Sequence, residues 1–271
     1  PIPYANYTER QYKDTFIAAA DVFLQPDGIY ALPVSVDPLL MYWNRDALDE
    51  AGIATPPKYW DEFLLLATRI TRRDRVGNIS RAAVSLGEYR NVAHAKEIIA
   101  ALLLQAGNPV VASEGGSFRP TLAQQGAESV INFYTEFANP IKPVYSWNRS
   151  MPDSRQAFLS ERLAIYFGFG SDLAELRRGN ANLNFDVSPF PAPRNATLSI
   201  TYGKMLGVAI LRRTPYFPQA YQVALTLSGQ ATVAELAAVL KTPPVRRDLL
   251  AGRPGDANGA ILYDSALRAR A

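Results

Sequence analysis

Several polar and aromatic side chains of this chain stand where predicted strands end or begin. Ligands of open α/β sheets bind beyond the carboxyl ends of the strands, and an aromatic segment at 145–152 offers a further surface. We predict these ligand-binding residues: Asp37, Tyr42, Asn44, Asn91, Trp147, Phe169, Ser171, Tyr202 and Lys204. Aromatic faces stack on the apolar faces of sugar rings, while carboxylate, amide and ammonium groups hydrogen-bond hydroxyls. The set predicts a site for a carbohydrate or another polar, uncharged ligand.

Each candidate also has a simpler structural interpretation. Tyr42 could be a core residue, Asn44 could only cap a helix, and Asp37 before a proline could be a turn former. Glu88 and Tyr89 share a segment with Asn91, after a predicted strand. Trp147 stands among Ser146, Asn148, Arg149 and Ser150, so no local apolar face buries it. A ligand ring, or a cation over the indole, would explain it.

The residue types and motifs give little support for catalysis or metal binding. The sequence has no GxSxG, P-loop, HExxH or dinucleotide-binding motif. Glu161 and Asp172 would serve glycoside hydrolysis only if the fold brought them together. The chain has no cysteine and one histidine, which argues against thiolate or histidine metal sites. We predict no enzyme activity, no metal and no cofactor.

The composition is that of a globular chain. It has 271 residues, of which 48% are hydrophobic and 20% are charged, with a net charge of +3. The basic residues are scattered apart from a few arginine pairs, which argues against nucleic-acid binding. No apolar run approaches about 18 residues, so the sequence predicts no membrane span.

Strand and helix patterns alternate along the chain. Apolar alternation or short apolar runs predict strands over 32–36, 39–43, 82–86, 163–167, 185–187 and 204–211. Pro38 is expected to separate the first two. Helical spacing predicts helices between them, Thr8 with Gln11 predicts a capping box, and Gly115-Gly116 predicts a turn. Such alternation indicates parallel βαβ units and an α/β fold.

The stretch 32–63 carries a recognisable pattern. It reads as strand, tyrosine and asparagine, short helix, alanine-glycine, two prolines, then a helix opened by tryptophan. The matching residues are Leu32-Pro33, Asp37, Tyr42, Asn44, Asp46, Leu48, Ala51-Gly52-Ile53, Pro56-Pro57 and Trp60-Asp61-Glu62-Phe63. This pattern resembles the extracellular solute-binding proteins of bacterial ABC importers, the maltose-binding-like family 1. Segments 158–165, 185–191 and 202–210 extend the resemblance. One departure is Tyr59, where the family usually has a threonine cap.

The resemblance implies a two-lobe periplasmic-binding-protein type II (Venus-flytrap) fold of the α/β class. By that analogy lobe one holds 1–42 and 203–240, and lobe two holds 43–202 and 241–271. The chain would cross between lobes near 42–44 and again near 196–202. Family members carry further βα units before this stretch and further helices after it, so we expect a fold truncated at both ends, with a first-lobe sheet that is incomplete or completed by another chain.

The resemblance also implies a function. The chain would capture a small polar solute, most simply a carbohydrate, in the cleft between lobes and deliver it to the transmembrane subunits of an ABC permease. It would be periplasmic or tethered to the cell surface, without a membrane span of its own. Trp147 would stack on the ligand, facing Tyr42 and Tyr202. The alternatives are a ligand sensor or adaptor on the same fold, and a glycan-active enzyme.

Overall fold

A computed structural model describes residues 1–114, 117–121 and 126–271. The predicted turn at Gly115-Gly116 lies outside these residues. The helices are α1 (Glu9–Thr15), α2 (Arg45–Glu50), α3 (Glu62–Ile70), α4 (Ala95–Gln105), α5 (Ala127–Glu136), α6 (Ser154–Leu159), α7 (Asp172–Gly179), α8 (Phe217–Leu227), α9 (Gln230–Leu240), α10 (Arg247–Leu250) and α11 (Ala257–Arg268). A 3₁₀ helix covers Ala18–Phe23.

Strands interleave with these helices. They are β1 (Leu24–Gln25), β2 (Gly28–Ile29), β3 (Leu32–Asn44), β4 (Arg72–Arg73), β5 (Ile79–Val84), β6 (Val111–Glu114), β7 (Ser117–Pro120), β8 (Leu163–Phe169), β9 (Phe185–Pro189), β10 (Thr201–Val208) and β11 (Ala269–Arg270). The described residues divide into two compact units: Pro1–Pro38 with Tyr202–Ala271 is unit 1, and Leu39–Thr201 is unit 2. The first crossing therefore lies before the predicted 42–44.

Unit 1 is held together by an apolar core drawn from both of its chain segments. Ile2, Tyr12 and Phe16 from the first segment pack in one cluster with Val245 and Ala266 from the second. The hydroxyl of Tyr12, which is fully buried, donates to the carbonyl of Ala20 at 2.9 Å. Burial raises the pKa of Tyr12 far above its ordinary value, so the hydroxyl stays a donor.

The C-terminal residues 241–271 lie in unit 1, which corrects their assignment to the second lobe. Val245, Leu250, Ala266 and Ala269 all belong to the unit 1 core, and β11 lies beside β10 in the sheet. The apolar pattern of residues 241–271 is too short to indicate which core they join.

A single strand, β3, replaces the two strands expected around Pro38. Residues 32–38 pair antiparallel with β10 in unit 1, and residues 39–44 pair antiparallel with β8 and β9 in unit 2. Proline lacks an N–H and cannot donate to a ladder. At Pro38 the partner is Gly203, and the strand continues through the proline. An extended φ near −65° is compatible with that path.

The sheet of unit 2 mixes both strand directions. The order is β9, β3, β8, β5 and β4, with β5 parallel to β8 and the other neighbours antiparallel. Of the predicted parallel βαβ units, the described strands of unit 2 show one, at β5 and β8, with α4 to α6 between them, whereas β3 and β4 pair antiparallel with their neighbours instead. All seven residues of β8 are buried, as expected of a central strand covered on both faces.

Candidate functional site

The carboxyl ends of β5 and β8 meet at one edge of unit 2, because these two strands are parallel neighbours. The segment 85–94 follows β5, and Gly170-Ser171 follows β8. The rings of His94 and Phe169 touch edge to face, with 4.7 Å between centroids. Segments from two strand ends therefore come together at the place where open α/β sheets bind ligands.

Asp172 is the centre of a buried polar network at this edge. Its carboxylate accepts from Arg155 Nη2 at 2.7 Å through Oδ1 and from the Tyr166 hydroxyl at 2.8 Å through Oδ2. His94 Nε2 lies 3.1 Å from Oδ2. Arg155 also pairs with Glu175. A buried carboxylate needs such partners, and this one is engaged through both oxygens, which disfavours a role in hydrolysis with Glu161.

The network fixes the proton positions of its members. Burial alone would raise the pKa of Asp172, but hydrogen bonds from His94 and Tyr166 and the charge of Arg155 outweigh burial, so its pKa is lowered. Burial raises the pKa of Tyr166, which therefore donates. Because a carboxylate only accepts, His94 Nε2 must carry the shared proton. In the neutral ring Nδ1 is then an acceptor.

A depression of about 270 Å³ opens beside His94 at the start of α4. Tyr89 on its rim is 65% exposed, and the His94 side chain is 21% exposed. Lys96 and Glu97 also line it, with Nζ and Oε1 3.2 Å apart. The depression is thus lined by an aromatic ring, an imidazole, an ammonium group and a carboxylate, which are groups that bind small polar molecules.

Contacts of Glu88 hold the segment that carries Tyr89 and His94 in place. The hydroxyl of Tyr134 donates to the carbonyl of Glu88 at 2.6 Å, and Glu88 pairs with Arg149 at 3.0 Å. His94 itself has a positive φ of 58°, a conformation that is uncommon for residues other than glycine. This turn directs the chain into α4.

Trp147 is a core residue, which corrects the expectation of a ligand-stacking indole. It is 0% exposed, and its Nε1 donates to Asn91 Oδ1 at 3.2 Å. The preceding residue explains the burial: Ser146 Oγ accepts from the N–H groups of Ala83 and Val84 at 2.9 and 3.0 Å. The polar loop is thereby fastened to β5, and the indole packs beneath it. No cation covers the ring in the described interactions.

Asn91 joins Trp147 in this anchoring network. Its Nδ2 donates to the carbonyls of Asn148 and Met151 at 2.9 and 3.0 Å. Both ends of the amide are therefore used to hold the 145–152 segment. The structure thus joins two predicted ligand residues, Asn91 and Trp147, in a structural arrangement that was not predicted.

Three further predicted ligand residues occupy interior positions of unit 2. Tyr42 is 0% exposed, and its hydroxyl donates to the carbonyl of Phe169 at 2.6 Å. Phe169 is 4% exposed and contacts the candidate site through the ring of His94. Asn44 is 2% exposed and caps α2, accepting from the Ala47 N–H at 2.9 Å. The simpler interpretations of Tyr42 and Asn44 are the ones that the structure shows.

The remaining predicted residues are divided between the units. Ser171 stands at the N-cap position of α7, without a side-chain capping bond, beside the Asp172 network. Asp37 and Lys204 are register partners on β3 and β10 of unit 1, where Asp37 is buried at 9% exposure and Lys204 is exposed. Tyr202 stands two residues before Lys204 on β10 and is half-buried. Their role in ligand binding stays a prediction.

His94 is the site residue that sequence reasoning missed. A lone histidine in a sequence suggests at most a metal ligand, but His94 stands three positions beyond Asn91 in the segment that follows a predicted strand. That position was the available signal. Among the described residues no group of three or more metal-ligating side chains is found.

None of the described helices is long and apolar enough to cross a membrane alone. The helices α8 and α9 would be long and apolar enough together, but the chain bends by 53° between them.

Comparison with solved structures identifies the fold. A cyclo/maltodextrin-binding protein in complex with maltotetraose superposes with a TM-score of 0.74 at 14% identity, over 97% of this chain and 65% of that one. UgpB from Mycobacterium tuberculosis, in complex with glycerophosphocholine, gives 0.69 at 19% identity, over 93% and 62%. The predicted α/β periplasmic-binding-protein fold is confirmed. The chain spans about two thirds of the length of these structures.

Sequence comparison identifies the family. Binding protein BAB2_0491 of Brucella abortus (strain 2308) is 38% identical over 72 residues, which are 25% of this chain and 17% of that protein. The family model for bacterial extracellular solute-binding proteins matches residues 1–216. That match covers most of the chain, and this chain therefore belongs to the bacterial extracellular solute-binding proteins.

Proposed function

We propose that this chain acts as the solute-binding component of an ABC importer, and that the solute is a carbohydrate. The observation that carries the proposal is the exposed ring of Tyr89 beside an imidazole whose orientation is fixed by Asp172. A sugar ring stacks an apolar face on tyrosine, and its hydroxyls donate to an imidazole nitrogen and to a carboxylate. The family implies a periplasmic or cell-surface location and delivery to a permease.

The network around Asp172 supports a binding role because it holds its members in one geometry. Arg155 and Tyr166 engage the carboxylate, and the carboxylate sets the His94 tautomer. A site whose hydrogen-bonding groups are fixed before the solute arrives loses less entropy on binding. The depression of about 270 Å³ is just below the usual range for drug-sized ligands, so this surface would contact about one sugar ring.

The test is a thermal-shift and calorimetric screen of the chain against mono- and oligosaccharides, polyols, amino acids and glycerophosphodiesters. A true ligand at about 100 times Kd adds about 2.7 kcal/mol to the free energy of unfolding. Stabilisation by a sugar supports the proposal. Stabilisation by a glycerophosphodiester or an amino acid alone would show that the carbohydrate class is wrong.

The site is tested with Tyr89→Ala and a matched control, Tyr216→Ala, because both tyrosines are 65% exposed. Loss of stacking, about 0.5–1.5 kcal/mol, is expected to weaken sugar binding about two- to tenfold in the Tyr89 variant only. Equal affinities of the two variants would remove Tyr89 from the site. Transport, as opposed to sensing, requires that the loaded protein stimulates ATP hydrolysis by a reconstituted importer.

A further inference from the structure

A second concave surface of unit 2 lies on the outer face of α3, away from the candidate solute site. A cavity of about 410 Å³ is enclosed between the loop 52–58 and this helix. Glu62, Leu65, Leu66 and Arg69 line it, and their spacing of three, four and seven residues places them on one face of the helix. We call this surface the α3 groove.

The floor of the α3 groove is apolar. Ile53 and Pro56 of the loop face it together with Leu65 and Leu66. Leu66 is 4% exposed, whereas Leu65 is 58% exposed. A leucine that is more than half exposed within a concavity represents apolar surface that a partner could remove from water.

The carboxylate and the cations of the α3 groove differ in how many partners they have. The Glu62 carboxylate accepts from the N–H groups of Lys58 and Tyr59 and from Arg194. By contrast, neither the Lys58 ammonium nor the Arg69 guanidinium forms an ion pair within the described part of the chain. Both side chains belong to exposed residues. Two cations therefore bracket an apolar floor about 10 Å long, the length of the helix from Glu62 to Arg69 at 1.5 Å per residue.

We propose that the α3 groove binds an acidic segment of a partner protein, which inserts an apolar side chain over Leu65 and Leu66 and sets carboxylates against Lys58 and Arg69. Charge complementarity favours a negatively charged partner, because in this groove Glu62 already pairs with Arg194, whereas Lys58 and Arg69 form no ion pair within the described part of the chain. A chain segment is favoured over a small molecule because small-molecule sites enclose most of their ligand. Here half of the lining residues are exposed.

The groove does not contribute to the candidate solute site. No residue of 52–69 lines the depression beside His94. The proposal therefore goes beyond solute capture, and variants of the groove should keep the affinity for the solute. This separates failure of the docking proposal from failure of the proposed function.

The experiment measures fluorescence anisotropy of a labelled peptide in which leucines are flanked by glutamates. The double charge reversal Lys58→Glu with Arg69→Glu is expected to weaken peptide binding about tenfold or more, because two exposed attractions become repulsions. Leu65→Ser tests the apolar floor and should also weaken binding. Arg75→Glu, another exposed arginine of unit 2, is the matched control and should leave binding unchanged.

Added salt provides a second readout. At about 1 M ionic strength the Debye length falls to about 3 Å, and the peptide affinity of the unaltered chain should fall toward that of the charge-reversed variant. Equal binding of the peptide to the unaltered and charge-reversed chains would overturn the proposal. So would tight binding of a medium-chain carboxylic acid in this groove without any binding of the peptide, which would indicate a small-molecule site.

Discussion

Asp172 illustrates how much a single buried carboxylate organises in this protein. Its side chain is 6% exposed, and its partners come from the segment after β5, from α6 and from β8. Gly168 lies directly beneath it, so that a β-carbon at this position would collide with the Asp172 carboxylate and the Tyr166 ring. The glycine between Phe167 and Phe169 is therefore explained by packing.

Asp172→Asn is expected to lower the free energy of unfolding by about 1–3 kcal/mol at neutral pH, the cost of leaving buried partners unsatisfied. Because the folded-state pKa of Asp172 is lowered, the ionised carboxylate contributes stability above the unfolded pKa of about 4. That contribution is lost as the pH falls through the folded pKa. Chemical denaturation at a series of pH values should therefore show the two proteins converging in acid.

The exposed carboxylate of Asp14 provides a control for this series. Asp14→Asn should change the stability little at any pH. A constant difference between the unaltered chain and Asp172→Asn down to strongly acidic pH would contradict the role assigned to ionised Asp172.

Trp147→Ala is expected to lower the free energy of unfolding by about 3–5 kcal/mol, the usual cost of removing a large buried aromatic side chain. Trp147→Phe keeps an aromatic ring but loses the bond to Asn91, and should be milder. Thermal melts of the unliganded proteins and solute titrations check this. An unchanged melting temperature with weakened solute binding would restore the ligand-stacking interpretation.

At the scale of elements, the close packing of α5 against the end of β5 determines where the segment that carries Tyr89 and His94 begins. Gly87 has a φ of 94°, and a β-carbon there would lie 2.7 Å from the backbone nitrogen of Ala138. The end of α5 thus packs directly on the backbone of the segment that leads to Tyr89 and His94. Only glycine permits both the dihedral angle and this close approach.

Gly87→Ala and Gly77→Ala form a matched pair that separates these two effects. Gly77 has a φ of 92° but has no atom within 4 Å of the added β-carbon. The Gly77 substitution should therefore cost only the backbone strain, about 1–2 kcal/mol. The Gly87 substitution should cost clearly more, because backbone must move. Urea denaturation checks the order; equal costs would show that α5 can shift freely.

Local signals in the sequence were sufficient for many elements and insufficient for the site. The capping box of Thr8 and Gln11 is confirmed in α1, because such a motif depends on residues only three positions apart. Glu62 still accepts from Tyr59 N–H although the family threonine is missing. The burial of Trp147 could not be inferred, because it depends on Ser146 reaching β5 more than sixty positions away.

The same limit applies to His94. Its role depends on Asp172, which is 78 positions distant, and no short-range pattern signals that contact. The strand-end rule selected Asn91, Phe169 and Ser171, which lie around the same edge of the sheet as His94. Residue types at strand ends did not indicate which side chains at this edge would be exposed.

At the scale of the whole molecule, the two units differ in how the chain builds them. Unit 2 is one continuous stretch, whereas unit 1 is assembled from both ends of the chain. α11 and β11 contribute to the core of unit 1, because Ala266 and Ala269 lie within it at 0% exposure. Unit 1 therefore depends on contacts between residues far apart in sequence, which are slow to form.

Ala266→Asp tests this dependence against Leu267→Asp, since Leu267 is the next residue and is 41% exposed. An unpaired carboxylate in the core is expected to destabilise unit 1 strongly, whereas the Leu267 substitution should be tolerated. Hydrogen exchange resolved by peptide should show loss of protection in 1–38 and 202–271 for Ala266→Asp. Full protection of both segments in that variant would contradict the assignment of the C-terminal residues.

The hydroxyl of Ser146 has a consequence for the behaviour of the protein in concentrated solution. The short strand β4 pairs with β5 at Ile79 and Arg81 and does not extend to Ala83 and Val84. The N–H groups of these two residues donate to Ser146 Oγ. Unpaired strand groups are templates for strand addition by another molecule. Ala83, Val84 and Ser146 are all buried, so another molecule can reach these groups only after the loop that carries Ser146 opens. Ser146→Ala removes the acceptor that holds this loop on β5 and leaves buried N–H groups unpaired, so it is expected to favour that opening and thereby aggregation at concentrations where the unaltered chain stays dispersed.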